Sequence, residues 1–140
     1  MKLVIDANIL FAALITSGRK RQSWIIDALF SDKLSLYAPE RLLSELFRHR
    51  EEIIRKSGYS PDEYAVFMEI LKLRIQFISF EKFAGEVETA LKLAPHPKDA
   101  EYFALALSES CPIYSEEKAF KKQSTVKVFN AKEIFEYIKE

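Results

Sequence analysis

The chain has 140 residues, of which 49% are hydrophobic and 30% are charged, and its formal net charge at pH 7 is zero. This length and composition favour one folded domain spanning 1–140. The neutral balance argues against binding of nucleic acid or membrane through bulk charge, and a single cysteine excludes an internal disulfide. No apolar run approaches the roughly 18 residues of a membrane span. We therefore expect a cytoplasmic protein with no targeting segment and no membrane partner.

Short apolar runs alternate along the chain with segments of helical period. The runs predict five strands, KLVID (2–6), LSLYA (34–38), QFIS (76–79), PIYS (112–115) and VKVF (126–129), of which the last alternates as an edge strand does. The helical periods and capping-box patterns predict helices at 40–56, from SPDE (60–63) to about 75, at 81–92, at 98–109 and after NAKE (130–133). This alternation predicts an α/β fold, with a mostly parallel sheet of about five strands flanked by helices.

Acidic residues follow several of the predicted strands or begin the helices after them. They are Asp6, Glu45, Asp99, Glu116 and Glu117. In a parallel sheet, ligands gather beyond the carboxyl ends of the strands, so these side chains can meet at one place. Because clustered carboxylates repel one another, a divalent cation with a preference for oxygen ligands, Mg²⁺ or Mn²⁺, would stabilise such a group.

Each of these residues also has a purely structural interpretation. Asp6 or Asn8 could cap the first helix, and Asp99 could be an acid favoured by the dipole at a helix start. Glu45 could be a solvated helix residue, and Ser115 could cap a helix that the two following glutamates begin. Only the joint position of these residues at predicted strand ends favours a functional site.

The resemblance to a known family rests on four segments taken together. VIDANIL, the glutamate of LLSELFRHR, the aspartate of PKDAEYFALAL and the tail YSEEKAFKKQSTVKVFNAKEIFEYI resemble the PIN-domain ribonucleases, most closely the small branch that includes VapC-type toxins. The resemblance implies a three-layer, Rossmann-like sandwich with an acidic pocket that binds Mg²⁺ or Mn²⁺. It also implies an endoribonuclease that hydrolyses RNA phosphodiester bonds with a metal-activated water.

Carried over by position, the family's first three acids fall on Asp6, Glu45 and Asp99. The resemblance implies that Asp6 and Asp99 bind the metal. It implies that Glu45 is either a ligand or holds a metal-bound water. Asn8 matches a polar residue that often follows the first aspartate, and it is expected to orient Asp6 or such a water.

The fourth acidic position departs from the family pattern. This branch commonly has a serine or threonine two residues before an aspartate; Ser115 matches the hydroxyl, and Glu117 stands where the aspartate would be. Glutamate is one methylene longer than aspartate. We take Glu117 as the fourth catalytic residue and metal ligand, with Glu116 in a supporting role; the alternatives are that Glu116 substitutes for it or that a second metal binds weakly.

The densest basic run, Arg19, Lys20 and Arg21, is the best candidate for contact with RNA phosphates, and Trp24 is close enough in sequence to offer a stacking face. The resemblance also implies a homodimer and, for a toxin, an antitoxin protein that binds it.

Two other functions compete with the ribonuclease. One is a PIN-fold RNA- or protein-binding module with a weakened or inactive site, which the glutamate in the fourth position favours. The other is a phosphohydrolase of the haloacid dehalogenase type, which we rank lower because that chemistry needs a second aspartate where this chain has Asn8.

Overall fold

The computed structural model describes residues 1–18 and 24–139, apart from the side chains at 16–18 and 24–26. Its strands are β1 (Lys2–Ile5), β2 (Ser35–Pro39), β3 (Ile75–Ile78), β4 (Ile113–Tyr114) and β5 (Val128–Phe129). They form one parallel sheet in the order β3-β2-β1-β4-β5. The predicted five-stranded parallel sheet is confirmed, and the VKVF segment lies at its edge.

Helices pack against both faces of this sheet. They are α1 (Ala7–Gly18), α2 (Trp24–Leu29), α3 (Arg41–Arg48), α4 (Arg50–Ser57), α5 (Pro61–Arg74), α6 (Val87–Leu93), α7 (Ala100–Glu109) and α8 (Ala131–Lys139). Short 3₁₀ helices occur at Phe80–Lys82, Ala84–Glu86, Pro97–Asp99 and Lys118–Lys122. None of the helices in the described ranges is both long and apolar enough to cross a bilayer.

Both predicted capping boxes are confirmed. At the start of α5, the Ser60 hydroxyl accepts the Glu63 N–H at 3.1 Å, and the Glu63 carboxylate accepts the Ser60 N–H at 3.0 Å. At the start of α8, Asn130 and Glu133 exchange the same pair of bonds, at 2.9 and 3.0 Å. These exchanges pair backbone donors that have no partner within the helix.

Predicted helix bounds were wrong in three places. The helix predicted over 40–56 is broken at His49, whose backbone leaves the helical region, and the Arg50 guanidinium donates to the Phe47 carbonyl at 3.2 Å. The helix predicted over 81–92 begins only at Val87, because buried Phe83 has a non-helical backbone and Gly85 disfavours an α-helix. The helix predicted over 98–109 begins with a 3₁₀ turn, and its α-helical part starts at Ala100.

A separate hydrophobic core lies on each face of the sheet. Along β1, Leu3 and Ile5 belong to the core formed with α1, α3, α4, α5 and α8, while Val4 belongs to the core formed with α6 and α7. Successive side chains of a strand point to opposite faces, so a central strand covered on both faces must be apolar throughout. This explains why three successive residues of β1, Leu3–Ile5, are all apolar.

The topology places the ends of β1 and β4 side by side. The chain adds β2 and β3 to one side of β1 and then crosses to add β4 and β5 on the other side. The Asp6 N–H donates to the Tyr114 carbonyl at 3.4 Å. Such a reversal of strand order opens a crevice at the carboxyl ends, where ligands bind in sheets of this kind.

Candidate active site

A cavity of about 480 Å³ lies at the carboxyl ends of the central strands. Four carboxylates line it, from the end of β1, from α3, from the turn before α7 and from the segment after β4: Asp6, Glu45, Asp99 and Glu117. Asn8 lines it as well. The sequence analysis singled out all five residues, and the structure brings them to one place.

Asp6 is the most buried carboxylate of the cavity, with 3% of its surface exposed. Its Oδ1 accepts the Ile9 N–H at 3.0 Å, so it caps α1, and its Oδ2 accepts the Ser115 hydroxyl at 2.5 Å. Burial raises the pKa of the Asp6 carboxyl to about 6, and the nearby charges of Glu117 and Asp99 add to this effect. Asp6 therefore caps a helix and also lines the cavity.

Ser115 connects Asp6 to the fourth acidic position. Its hydroxyl oxygen, which donates to Asp6, also accepts the Glu117 N–H at 3.0 Å. Glu117 lines the cavity, whereas the Glu116 carboxylate accepts the N–H of Ala131 at the start of α8, at 2.5 Å. The two neighbouring glutamates thus have different surroundings, and Glu117 is the one at the cavity.

Asp99 lies at the N-terminal boundary of α7 but makes no side-chain hydrogen bond to cap it. Burial raises the pKa of its carboxyl above the ordinary value, while the positive charges of Lys98 and His96 act in the opposite direction. The carboxylate lines the cavity instead of pairing with the helix N–H groups. Asp99 therefore lies at the helix start, where the dipole favours an acid, but its carboxylate makes no capping bond and lines the cavity.

The cavity also contains residues that the sequence analysis did not identify. Arg41, His96, Lys98 and Tyr102 line it. The Tyr102 hydroxyl accepts the Ala7 N–H at 3.2 Å, and burial raises the pKa of its phenol above the ordinary value. Spacing could have indicated Arg41, which lies one helical turn before Glu45, and Lys98 is the neighbour of Asp99.

Arg19, Lys20 and Arg21, predicted to contact RNA, lie outside the described residues. Trp24 is the first residue of α2, and its side chain also lies outside the description. The prediction for this basic run therefore stays a prediction from sequence.

The donor set of the cavity is made of carboxylate oxygens, which are ligands that Mg²⁺ and Mn²⁺ accept. Across 1–18 and 24–139, no three carboxylate, imidazole or thiol side chains form a ready-made metal cluster. Mg²⁺ commonly binds through one or two carboxylates and keeps several waters, so it does not require such a cluster. The side chains therefore fit a partly hydrated divalent cation.

Comparison with known proteins agrees with this architecture. A family model described as the PIN domain matches residues 4–137, and no curated protein matches the sequence significantly. One similar chain comes from the crystal structure of VapBC2 from Rickettsia felis bound to a DNA fragment from the VapBC2 promoter. It has a TM-score of 0.64 and 17% sequence identity, over 93% of this chain and 98% of that chain. This structural similarity shows a shared fold, and the family model covers nearly the whole sequence: the chain belongs to the PIN domain family.

Proposed function

We propose that this chain is a divalent-metal-dependent endoribonuclease that hydrolyses RNA phosphodiester bonds. The observation that carries the proposal is the convergence of four carboxylates, Asp6, Glu45, Asp99 and Glu117, on one cavity of a PIN domain. They come from segments far apart in sequence, and two of them have pKa values raised by burial in the apo protein. Placing several carboxylates at one cavity is unfavourable because they repel one another, so their convergence supports a role in binding a cation.

In this proposal Asp6, Asp99 and Glu117 hold Mg²⁺ or Mn²⁺. The bound ion would lower the pKa of a water that attacks phosphorus and would stabilise the negative charge that develops on the phosphate. The Ser115 hydroxyl donates to Asp6 and accepts the Glu117 backbone N–H, which supports a shared role for these two acids. Glu45 and Asn8 line the same cavity, where we propose that they orient a ligand or a water.

We assign the fourth acidic role to Glu117 rather than to Glu116. The Glu116 carboxylate is engaged by the Ala131 N–H, while Glu117 lies at the cavity and its charge raises the pKa of both Asp6 and Asp99. All three carboxylates line the same cavity. Glutamate at this position, in place of the aspartate expected from the family pattern, therefore still supplies an acid to the group.

We further propose that the protein acts as the toxin of a toxin–antitoxin pair and binds an antitoxin protein. The similar chain of known structure belongs to VapBC2, which was solved with promoter DNA. We also expect a homodimer. Expression of the chain should arrest the growth of a host cell, and the Asp6→Asn variant should not.

Cleavage of a fluorescently labelled single-stranded RNA tests the enzymatic proposal. The wild-type protein should cleave the RNA with Mn²⁺ and should stop when EDTA is added. Asp99→Asn should cleave the RNA at least about 100-fold more slowly, since loss of a residue that only orients a metal ligand already costs about 10–100-fold. The substitution should not disturb α7, because Asp99 makes no capping bond to it. Asp62→Asn, which changes an exposed aspartate of α5, is the matched control. A wild-type protein that binds RNA but does not cleave it would instead support the inactive binding module.

A further inference from the structure

Arg41, the first residue of α3, makes three polar contacts beside the cavity. Its Nε lies 2.7 Å from a carboxylate oxygen of Glu101, and its Nη2 donates to the Lys98 carbonyl at 3.3 Å. The same Nη2 lies 3.7 Å from Glu45, one helical turn further along α3. One guanidinium therefore contacts a cavity carboxylate of its own helix and two residues of a segment almost sixty positions away.

The two distant contacts lie on either side of Asp99 in the sequence. Lys98 precedes Asp99 in the 3₁₀ turn, and Glu101 follows it in the first turn of α7. Arg41 thereby links the helix that carries Glu45 to the turn that carries Asp99. Among the ion pairs given for the described residues, it is the residue that joins these two elements.

Glu101 holds the guanidinium from outside the cavity. The Glu101 side chain is 18% exposed and is not part of the cavity lining, whereas the Arg41 side chain is 47% exposed and lines it. The shortest contact thus anchors Arg41 on its Nε, leaving Nη2 for the Lys98 carbonyl and Glu45. A lysine carries the same charge on a single nitrogen and cannot reproduce this fork of donors.

We propose that Arg41 is a positioning residue that, held by Glu101, fixes the spacing between Glu45 and the Asp99 turn beside the cavity. The role deepens the proposed nuclease function and rests on it. Arg41 does not contact the reacting atoms in this assignment. It acts through the two carboxylates whose positions it sets.

The affinity for Mn²⁺ distinguishes this role from a simple charge effect. Removing a positive charge near four carboxylates should by electrostatics alone tighten the binding of a cation. If Arg41 positions the ligands, Arg41→Ala should instead weaken Mn²⁺ binding by about 10-fold or more, which is the effect of losing a group that orients metal ligands. Titration calorimetry measures the constant, and unchanged or tighter binding would overturn the proposal.

A double-mutant cycle tests whether Glu101 acts through Arg41. Glu101→Gln should also weaken Mn²⁺ binding. Because the effects of coupled residues are not additive, the Mn²⁺ affinity of the double variant should be within about 2-fold of that of Arg41→Ala. Glu109→Gln is the matched control, because it removes a carboxylate at the other end of α7, where it pairs with Lys2 at 3.4 Å. Arg41→Lys should fall between wild type and Arg41→Ala. Additive effects of Arg41→Ala and Glu101→Gln would contradict the proposed link.

Amide hydrogen exchange reports on the same contact without metal or RNA. The Asp99 N–H donates to the His96 carbonyl at 2.9 Å within the turn that Arg41 holds. Arg41→Ala should speed the exchange of this amide at least about 10-fold, because the turn opens more readily without its anchor. Unchanged exchange would overturn the positioning role even in an active nuclease. Faster exchange in a protein that neither binds Mn²⁺ nor cleaves RNA would refute the proposed function while leaving the contact established.

Discussion

The Ser115 hydroxyl donates a hydrogen bond of 2.5 Å to Asp6 Oδ2 across the ends of the neighbouring strands β1 and β4. The two residues are 109 positions apart in the chain. Because the same hydroxyl accepts the Glu117 N–H at 3.0 Å, it sets the positions of two acidic residues at once. The chemistry of the cavity therefore depends on how the sheet brings these two strand ends together.

Replacing Ser115 by alanine should destabilise the fold. The substitution removes the donor to Asp6 and the acceptor of the Glu117 N–H, so we expect the free energy of unfolding to fall by about 1–3 kcal/mol. It should also raise the pKa of Asp6 further, because the hydroxyl lowers it. Urea denaturation measures the stability, and Ser115→Thr, which keeps a hydroxyl, should retain most of it. Equal stability of Ser115→Ala and wild type would contradict this account.

The stability of the metal-free protein should depend on pH through Asp6. Its folded pKa of about 6 lies above the ordinary 3.8, so the folded state binds a proton more tightly than the unfolded chain does. The free energy of unfolding therefore falls as Asp6 ionises with rising pH. The loss is absent below pH ~4, is complete above pH ~6 and amounts to roughly 3 kcal/mol.

Asp6→Asn removes this ionisation while keeping the size of the side chain, so it should stabilise the apo protein near neutral pH. The gain in unfolding free energy should shrink as the pH is lowered through 6 towards 4. Urea denaturation in EDTA at several pH values checks the dependence. A gain that is constant with pH would show that the ionisation of Asp6 is not its source.

Substitution of the two adjacent glutamates should have separate effects. Glu117→Gln removes a charge at the cavity, so we expect weaker Mn²⁺ binding and RNA cleavage slower by about 10–100-fold. Glu116→Gln keeps an oxygen that can accept the Ala131 N–H and should cost only the charge at the helix start, about 0.3–1 kcal/mol. Cleavage rates and thermal melts of both variants provide the comparison. A larger loss of cleavage in Glu116→Gln would reverse our assignment of the fourth acid.

Two buried tyrosines should respond differently to loss of the hydroxyl. The Tyr102 hydroxyl accepts the Ala7 N–H, so Tyr102→Phe should lower the free energy of unfolding by about 1 kcal/mol. The Tyr114 hydroxyl is buried and has no hydrogen-bond partner within the described residues, so Tyr114→Phe should leave stability unchanged or raise it by up to about 1 kcal/mol. Urea denaturation of the pair checks the order, and a less stable Tyr114→Phe would contradict it.

The fold class could be predicted because its signals are local. The apolar runs that end at Asp6 and Ser115 identify strands buried on both faces, and the Ser60 and Asn130 capping boxes identify helix starts. The order of the strands could not be predicted from such signals. It depends on how helices cover the two faces, and it is this order that places β1 next to β4.

Site residues were predictable where a strand or a family pattern marked them, as for Asp6 and Asp99. Tyr102 was missed because its partner, Ala7, is remote in sequence. The spacing of Arg41 from Glu45 was a local signal, but its contact with the Lys98 carbonyl is remote as well. The choice between Glu116 and Glu117 also depended on a distant element, since the start of α8 engages Glu116. Contacts of this kind follow from tertiary packing and leave no local pattern.

Titration of Mn²⁺ into the purified protein, followed by calorimetry, tests most directly whether the four carboxylates form a metal site. We predict saturable binding by the wild type and at least about 10-fold weaker binding by Asp99→Asn, with Asp62→Asn unchanged. Absence of binding by the wild type at millimolar Mn²⁺, or equal binding by Asp99→Asn, would contradict the account.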